Sequence, residues 1–359
     1  MEQRTFNQLL AAAVKNGASD VHLKAGAPPA LRINGSLLPV KVPSLSPEDT
    51  ETIASYILKD ARYKGDLNDL RDWDTSYAVQ DVGRFRVNIF RQKGNFALVL
   101  RAIPFDVPTV ESLGLPPVVK GMADYERGLV LLTGVTGSGK SSTLAAIVRQ
   151  INESTRAHIL TIEDPIEFLH EDKLSRVTQR EIGPDTGNFA QALRAALRQD
   201  PDVILVGEMR DLETIEIALK AAETGHLVLS TVHTTDAAKT IGRLCDAFPH
   251  DAQQAVRHRL AENLKGTISQ RLLPKAQGKG RVVAAEIMVS TESIKDFIID
   301  AERTHEMSDY LAKNRDIYGT QSFDQHLSEL YKGGQITLDV AKAAASNPSD
   351  FERALSFES

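Results

Sequence analysis

The pattern of apolar and polar positions divides the chain into two regions of different character. In the first region, apolar side chains recur at helical spacing from Phe6 to Val14 and then alternate with polar ones over residues 21–23. The Asn34-Gly35 pair predicts a two-residue hairpin turn, and Ser46-Pro47 predicts the start of a second helix. Three strand-like runs follow: Thr75–Val79, Gly83–Phe90 and Phe96–Ile103. This region therefore predicts a small α+β domain.

From about Leu115 onward, apolar strands alternate with helical patterns. The strand candidates are Leu129–Thr133, His158–Ile162, Val203–Val206 and Leu227–Thr231. Such alternation predicts a parallel sheet with helices on both faces. Beyond the apolar run Val282–Val289 the pattern is mostly helical to the end of the chain.

These patterns predict an α/β fold class with a defined domain organisation. We expect an N-terminal α+β domain over residues 1–103, and a linker over residues 104–114, where two prolines interrupt any sustained period. An α/β domain is expected over residues 115–290 and a helical C-terminal region over residues 291–359.

Composition narrows the class of protein only a little. A chain of 359 residues suits two domains, and it has no apolar run of membrane-spanning length and no apolar core of a signal peptide. Cys245 is the single cysteine, which excludes an intrachain disulfide and a cysteine-based metal cage. These features predict a cytoplasmic protein. The net charge of −6 argues mildly against binding a long stretch of nucleic acid.

The strongest chemical signal is the run GVTGSGKSS at residues 134–142, which lies between a predicted strand and a predicted helix. It fits the pattern G-x-x-x-x-G-K-[ST], in which glycines allow backbone N–H groups to point at phosphate oxygens. Lys140 is expected to reach the β- and γ-phosphates, and Ser141 to bind Mg²⁺. The pattern predicts binding of ATP with Mg²⁺ through Gly134, Thr136, Gly137, Ser138, Gly139, Lys140, Ser141 and Ser142.

Two acidic segments follow later predicted strands. Glu163 is the candidate general base that activates water beside the γ-phosphate, although a solvated turn is the alternative interpretation. Glu208 lies one glycine beyond an apolar strand, as in a Walker B element. It is expected to bind Mg²⁺ directly or through a water molecule, together with Ser141. Its alternative interpretation is a core strand with a polar end.

Two histidines and several arginines complete the candidate set. His226 precedes the strand Leu227–Thr231 and His233 follows it, and a histidine within reach of the γ-phosphate can hydrogen-bond to it. A structural role is the alternative for each. The arginines either form a solvated face or complete the site as a finger on the transition-state charge, and the sequence leaves their order open. They are Arg84, Arg86, Arg91, Arg101, Arg194, Arg198 and Arg210.

These motifs together resemble those of the type IV pilus retraction ATPases (the PilT family) of the secretion ATPase superfamily. The resemblance begins with the segments at residues 18–23, 28–35 and 83–88 and includes the loop at 134–142. It continues through the segments at residues 161–167, 200–211, 223–233, 321–325 and 330–334. Nearly the whole chain is covered, and the order of the motifs is more specific than a phosphate-binding loop alone.

The resemblance implies a homohexameric motor with a PAS-like N-terminal domain and a RecA-like ATPase domain. It implies that Glu163 is the catalytic glutamate, Glu208 the Walker B acid and His233 the phosphate-facing histidine. Arg84 and Arg101 match arginines that approach the nucleotide. The implied partners are an inner-membrane pilus platform protein and a second retraction ATPase, with no nucleic acid. The implied location is cytoplasmic and peripheral at the inner membrane.

Two sequence features bear on whether the motor retracts or assembles pili. Pilus-assembly and secretion ATPases usually carry an additional N-terminal region and a four-cysteine zinc site. This chain starts at its first predicted domain and has one cysteine, so a retraction motor is favoured. In the family's C-terminal motif, at residues 293–302, Asp300 stands where the family has arginine. An accessory motor of the PilU type, or an assembly or secretion traffic ATPase, therefore stays open. A RecA-like nucleic-acid motor and a non-hydrolysing regulatory subunit are the alternatives from other classes.

Overall fold

The computed structural model describes residues 1–33, 35–61, 63, 65–103, 106–278 and 280–357. The chain forms two compact units. The first comprises Met1–Asp106, Asp164–Leu169 and Glu181–Gly187, and the second comprises Val107–Glu163, His170–Arg180 and Asn188–Ser359. Asn34 of the predicted hairpin, Pro104 and Phe105 of the predicted linker and residues 358–359 of the predicted helical region lie outside the described residues.

The first unit is built on an antiparallel sheet. Its helices are α1 (Gln3–Lys15) and α2 (Pro47–Asp60). Its strands are β1 (Asp20–Lys24), β2 (Ala30–Ile33), β3 (Ser36–Pro39), β4 (Asp72–Val79), β5 (Gly83–Gln92) and β6 (Asn95–Ala102). In the described part of this unit the six strands are ordered β3-β2-β1-β6-β5-β4, and each neighbouring pair is antiparallel.

Local sequence accounts for the helices of this unit. Phe6, Leu10 and Ala13 lie on one face of α1 and are buried in the core. The predicted start of α2 is confirmed: the Ser46 hydroxyl accepts a hydrogen bond from the Asp49 N–H at 3.1 Å, and the Asp49 carboxylate accepts one from the Ser46 N–H at 2.9 Å. This reciprocal capping box satisfies two N–H groups at the start of the helix.

The second unit is larger and holds the parallel strands. Its strands are β7 (Gly128–Thr133), β8 (His158–Glu163), β9 (Arg176–Glu181), β10 (Val203–Val206), β11 (Leu227–Val232), β12 (Leu264–Pro274) and β13 (Arg281–Val289). The last residue of β9, Glu181, is grouped with the first unit. The helices before the β12–β13 hairpin are α3 (Val118–Gly121), α4 (Lys140–Ser154), α5 (Phe189–Ala196), α6 (Leu212–Glu223), α7 (Ala237–Cys245) and α8 (Gln253–Asn263). Those after it are α9 (Glu292–Ile299), α10 (Met307–Lys313), α11 (Arg315–Tyr318), α12 (Phe323–Lys332), α13 (Leu338–Ala344) and α14 (Pro348–Phe357).

The order of the second sheet decides where its strand ends meet. Over the described residues its seven strands are ordered β13-β12-β7-β11-β10-β8-β9. The strands β12, β7, β11, β10 and β8 pair in parallel, and β13 pairs antiparallel with β12. The predicted α/β class and the four predicted parallel strands are confirmed, whereas β9 and β12 were not predicted. Among the described helices, none is both long and apolar enough to span a bilayer.

Candidate functional site

A phosphate-binding loop joins β7 to α4. Every residue of β7 is buried, so the loop starts from a rigid strand. Gly134 has a φ of 142°, and a Cβ there would lie 2.4 Å from the Ser138 hydroxyl oxygen and 2.6 Å from the Gln270 carbonyl oxygen. Gly139, with a φ of 94°, caps the start of α4. Only glycine suits both positions, because side chains disfavour this backbone region and Gly134 has no room for one.

The cationic group of the loop is buried within it. The Lys140 ammonium donates hydrogen bonds to the carbonyl oxygens of Gly134 at 2.8 Å and Val135 at 3.1 Å. Thr136 and Gly137 are exposed at the tip of the loop, while Ser141 and Ser142 are partly exposed in the first turn of α4. A glycine-rich loop that leads into the N-terminal end of a helix and carries a lysine ammonium suits an anion.

Unsatisfied polar atoms beside the loop support the same conclusion. The buried hydroxyl of Ser138 has no hydrogen-bond partner among the described residues, and neither does the hydroxyl of Thr133 at the end of β7. A buried hydroxyl without a partner is unfavourable, so a bound group with acceptor oxygens would satisfy it. The hydroxyl of Ser141 and the carboxylate of Glu208 are oxygen ligands of the kind that Mg²⁺ prefers. The residues present therefore fit both a phosphate group and the metal ion.

Glu208 is held at the carboxyl end of β10 by the glycine that precedes it. The Gly207 N–H donates to the Ile162 carbonyl at 2.8 Å, and the Thr231 hydroxyl donates to the Gly207 carbonyl at 2.7 Å. A Cβ on Gly207 would lie 3.2 Å from that Ile162 oxygen. Hydrogen bonds to both neighbouring strands thus fix the backbone from which Glu208 projects.

The structure brings Glu208 and His233 together. One carboxylate oxygen of Glu208 lies 3.5 Å from His233 Nε2 and 2.6 Å from Arg210 Nε. Burial lowers the pKa of His233, the Lys140 and Arg210 cations lower it further, and the Glu208 carboxylate opposes them. The imidazole is therefore neutral near pH 7 and can act as a hydrogen-bond donor without a net charge.

Glu163 is the last residue of β8, and its carboxylate is oriented by two neighbours. Its Oε1 accepts hydrogen bonds from the Thr161 hydroxyl at 2.6 Å and from Gln179 Nε2 at 3.1 Å. The sequence reasoning missed both of these residues. The contact of Thr161 with Glu163 could be predicted, because side chains two positions apart on a strand lie on the same face. The contact of Gln179 could not be predicted, because the pattern of the sequence does not indicate its strand.

The sheet order places these groups along one edge. The phosphate-binding loop, His233 and Glu208 follow β7, β11 and β10, and Glu163 is the last residue of β8. These four are consecutive parallel strands. Ligands of open parallel sheets bind at the carboxyl ends of the strands. The arrangement can hold a triphosphate at the loop, and it supplies two carboxylates and an imidazole beside it.

His226 does not lie at this edge, which corrects the expectation that it contacts the nucleotide. It precedes β11, and its carbonyl accepts a hydrogen bond from the N–H of Gly128 at the amino end of β7. The six residues of β7 separate that end from the loop by roughly 20 Å. Its Nδ1 lies 2.9 Å from the Ala221 carbonyl of α6, so the ring is placed to cap that helix.

The two arginines singled out in the N-terminal region lie in the first unit and have carboxylate partners there. Arg84 Nη2 donates to Glu181 Oε2 at 2.9 Å and to the Ser76 hydroxyl at 2.7 Å. Arg101 Nε donates to Asp20 at 2.9 Å, yet 68% of the Arg101 side chain is exposed. Arg84 is thus engaged by a buried acid, whereas Arg101 presents most of its surface to solvent. Sequence reasoning missed Glu181, because no motif marks it.

Of the remaining candidate arginines, Arg86 is exposed on β5 and the other four have partners. The Arg91 guanidinium lies 3.7 Å from the centre of the Phe96 ring and donates to three backbone carbonyls, which is a structural role. Arg194 pairs with Glu213, and Arg198 donates to the Arg194 carbonyl at 3.3 Å. Arg210 contacts a candidate site acid, Glu208.

A parallel sheet with a glycine-rich loop, a buried lysine and acids at its carboxyl edge defines a P-loop nucleotide-binding protein. The family model described as "Type II/IV secretion system protein" matches residues 1–354. The chain belongs to this family, and the resemblance inferred from the motifs is confirmed.

Two curated relatives and one solved structure are similar over almost their full lengths. "Type IV pilus retractation ATPase PilT" of Pseudomonas aeruginosa is 47% identical over 346 residues, which cover 96% of this chain and 99% of the relative. "Type IV pilus ATPase PilU" of the same organism is 39% identical over 345 residues, 96% of this chain and 90% of the relative. The solved structure, "Crystal Structure of the Pilus Retraction Motor PilT and Bound ADP", has a TM-score of 0.87 at 47% identity and covers 97% of this chain and 98% of that chain.

Proposed function

We propose that this protein is an ATP-hydrolysing motor that drives retraction of type IV pili. The proposal rests on two similarities, each over nearly the full length of both proteins. One is to the sequence of a retraction ATPase, and the other is to the crystal structure of a retraction motor with bound ADP. The edge that gathers Lys140, Glu163, Glu208 and His233 supplies the chemistry that such a motor needs. A retraction motor is favoured over a secretion ATPase, because the match to the secretion ATPase covers only about half of that protein's length.

Nucleotide binding is assigned to the loop and the start of α4. The amide groups of residues 134–142 and the Lys140 ammonium bind the phosphates, with the ammonium exchanging its loop carbonyl partners for phosphate oxygens. Ser141 and Glu208 hold Mg²⁺, directly or through water. When bound, that ion neutralises phosphate charge and orients the oxygens of the γ-phosphate.

Hydrolysis is assigned to Glu163. Its carboxylate, oriented by Thr161 and Gln179, accepts a proton from the water that attacks the γ-phosphorus, and the bond from that phosphorus to the ADP oxygen breaks. The neutral His233 donates an N–H hydrogen bond to the γ-phosphate and loses this partner when phosphate leaves. Arg101, with 68% of its side chain exposed, is the N-terminal arginine that we propose to contact a nucleotide, whereas Arg84 is paired with the buried Glu181.

We propose the wider setting that the family resemblance implies. It is a homohexamer in the cytoplasm, peripheral at the inner membrane, that acts on a pilus platform protein and cooperates with a second retraction ATPase. We propose an N-terminal domain over residues 1–103, a linker over 104–114, an ATPase domain over 115–290 and a helical region over 291–359, as the sequence predicts. Two short segments within the predicted ATPase domain, Asp164–Leu169 and Glu181–Gly187, are grouped with the N-terminal unit.

The first test concerns the chemistry. Glu163→Gln should bind a fluorescent ATP analogue as the wild type does and lose turnover by on the order of 100-fold or more, because the amide cannot accept the proton. Glu153→Gln is the control, since Glu153 lies on the exposed side of α4 and pairs with Arg149 and Lys173. Wild-type turnover in Glu163→Gln would show that Glu163 is not the base.

The second test concerns the direction of the motor. Deleting the gene should give excess surface pili and loss of surface motility, and the wild-type gene, but not the Glu163→Gln allele, should restore both. Cells without pili would show an assembly motor.

A second candidate function is an accessory motor. It is favoured by Asp300 at the end of α9, where the resemblance leads one to expect arginine, and by the 39% identity to PilU. An unchanged number of pili in the deletion strain would favour this candidate.

A further inference from the structure

Glu181 is a buried carboxylate at the end of β9, with only 1% of its side chain exposed. Its Oε1 accepts a hydrogen bond from the Ser76 hydroxyl at 2.7 Å. Its Oε2 accepts from Arg84 Nη2 at 2.9 Å and from the Ile166 N–H at 3.1 Å. A carboxylate is costly to bury unless its charge is paired and its oxygens are hydrogen-bonded. Here a guanidinium, a hydroxyl and a backbone amide meet both conditions.

The Ile166 hydrogen bond connects this cluster to the candidate base through the chain. Glu163 ends β8, and Ile166 follows it by three residues in the segment Asp164–Leu169. That segment belongs to the same compact unit as Ser76 and Arg84. The carboxylate of Glu181 therefore fixes the backbone immediately after Glu163 to the strands β4 and β5.

β9 makes a second connection to Glu163. Gln179 and Glu181 are two residues apart on this strand, so their side chains lie on the same face. Gln179 Nε2 donates to Glu163 Oε1 at 3.1 Å. The end of β9 is held further by reciprocal hydrogen bonds, from the Glu181 N–H to the Asp185 carboxylate at 2.8 Å and from the Asp185 N–H to the Glu181 carbonyl at 3.0 Å. Anchoring Glu181 therefore also anchors the strand that orients the base.

We propose that Glu181 is a positioning residue for ATP hydrolysis, which holds Glu163 in place through Ile166 and through Gln179. The proposal rests on the function proposed above, in which Glu163 is the general base. Arg84 then acts as the cationic partner of Glu181, which differs from the nucleotide contact expected from its sequence. The connections of Glu181 run to Glu163, so we expect Glu181 to affect the rate of the chemical step and to leave nucleotide affinity unchanged.

The test is the isosteric variant Glu181→Gln, which keeps the shape and an acceptor oxygen and removes the charge that pairs with Arg84. We expect kcat for ATP to fall about 10-fold or more and KM to stay within about twofold, because small displacements of a catalytic group slow the chemical step steeply. Tyr77→Phe is the matched control. Tyr77 is buried beside Ser76 on β4, and its hydroxyl bonds to Asn7 at 3.0 Å and Gln3 at 3.1 Å, away from Glu181.

A double-mutant comparison separates positioning from general destabilisation. In the Glu163→Gln background, Glu181→Gln should change the residual single-turnover rate by less than about twofold, because a residue that acts through Glu163 has nothing left to position. An equal fall in both backgrounds, or a wild-type kcat in Glu181→Gln, would refute the positioning role. Wild-type turnover in Glu163→Gln alone would instead refute the proposed function.

Ser76→Ala provides a second, milder variant in case Glu181→Gln does not fold. It removes one of the three donors to Glu181 and keeps Arg84 and the Ile166 amide. We expect a fall in kcat of about threefold at unchanged KM, with the melting temperature measured in parallel. An unchanged kcat in the folded Ser76→Ala protein would also count against the proposal.

Discussion

Glu286 illustrates how the environment of a single residue changes its chemistry. It lies on β13, and its Oε1 accepts a hydrogen bond at 2.8 Å from the N–H of Ala237, the first residue of α7. Only 5% of its surface is exposed, and burial raises the pKa of its carboxyl to about 7. The amide of Ala237 favours the charged form but only partly offsets the loss of hydration.

This raised pKa predicts a dependence of stability on pH. The carboxyl has a pKa of about 7 in the folded protein and an ordinary value of 4.5, so the unfolded chain releases this proton first as the pH rises. The contribution of Glu286 to stability is therefore complete below about pH 4.5 and is lost as the pH rises through about 7. Glu286→Gln, which cannot titrate, should gain up to about 3 kcal/mol over the wild type between pH 5 and pH 8.

Melting temperatures of the two proteins at pH 5 and pH 8 measure this effect. Glu51→Gln serves as the control, because Glu51 is exposed on α2 and its replacement should leave the pH dependence of the wild type intact. An identical pH dependence in the wild type and in Glu286→Gln would contradict the prediction.

The sequence predicted the site residues whose role is determined by neighbours in the chain. It did not predict those whose role depends on contacts with distant residues. The glycines and Lys140 of the loop follow one another along the chain, so their shared role was visible. Glu181 depends on Ser76, which lies 105 residues away, and no local pattern records that contact. His226 was placed wrongly although a local signal existed, since a residue that precedes a parallel strand lies at its amino end.

At the scale of elements, apolar runs predicted strands well where the sheet interior is apolar. β7, β10 and β11 are buried along their whole length and consist mostly of aliphatic residues. β12 is equally central but was missed, because its buried positions include Gly266, Thr267, Ser269 and Gln270. Polar groups buried within a sheet interrupt the apolar run on which strand prediction depends. β9 was missed because it is a polar strand at the edge of the sheet.

The element that joins β7 to α4 gives a steric prediction. Gly134→Ala should reduce nucleotide binding severely, because its Cβ would meet the Ser138 hydroxyl at 2.4 Å and the Gln270 carbonyl at 2.6 Å in a backbone conformation that suits glycine. Titration with a fluorescent ATP analogue measures the loss. Gly121→Ala in α3 is the control, since a Cβ there meets nothing within 4 Å of it and should leave binding unchanged. Equal binding by Gly134→Ala and the wild type would show that the loop can rearrange.

At the scale of the whole molecule, charge gives a prediction about partners. The net charge of −6 is unfavourable for a protein that tracks a polyanion along its length. We expect single-stranded DNA to leave the ATPase rate unchanged at moderate salt, measured beside heparin as a polyanion without bases. Clear stimulation by the DNA and not by heparin would favour the nucleic-acid motor over the pilus motor.

The path of the chain between its two units has a consequence for making hybrids of related proteins. The chain passes from one unit to the other after residues 106, 163, 169, 180 and 187. A hybrid made by one crossover near residue 106 would therefore inherit Ser76 and Arg84 from one parent and Ile166 and Glu181 from the other. A hybrid whose first unit comes entirely from one parent protein needs a crossover at all five positions. The three separated segments of the first unit must therefore be transferred together.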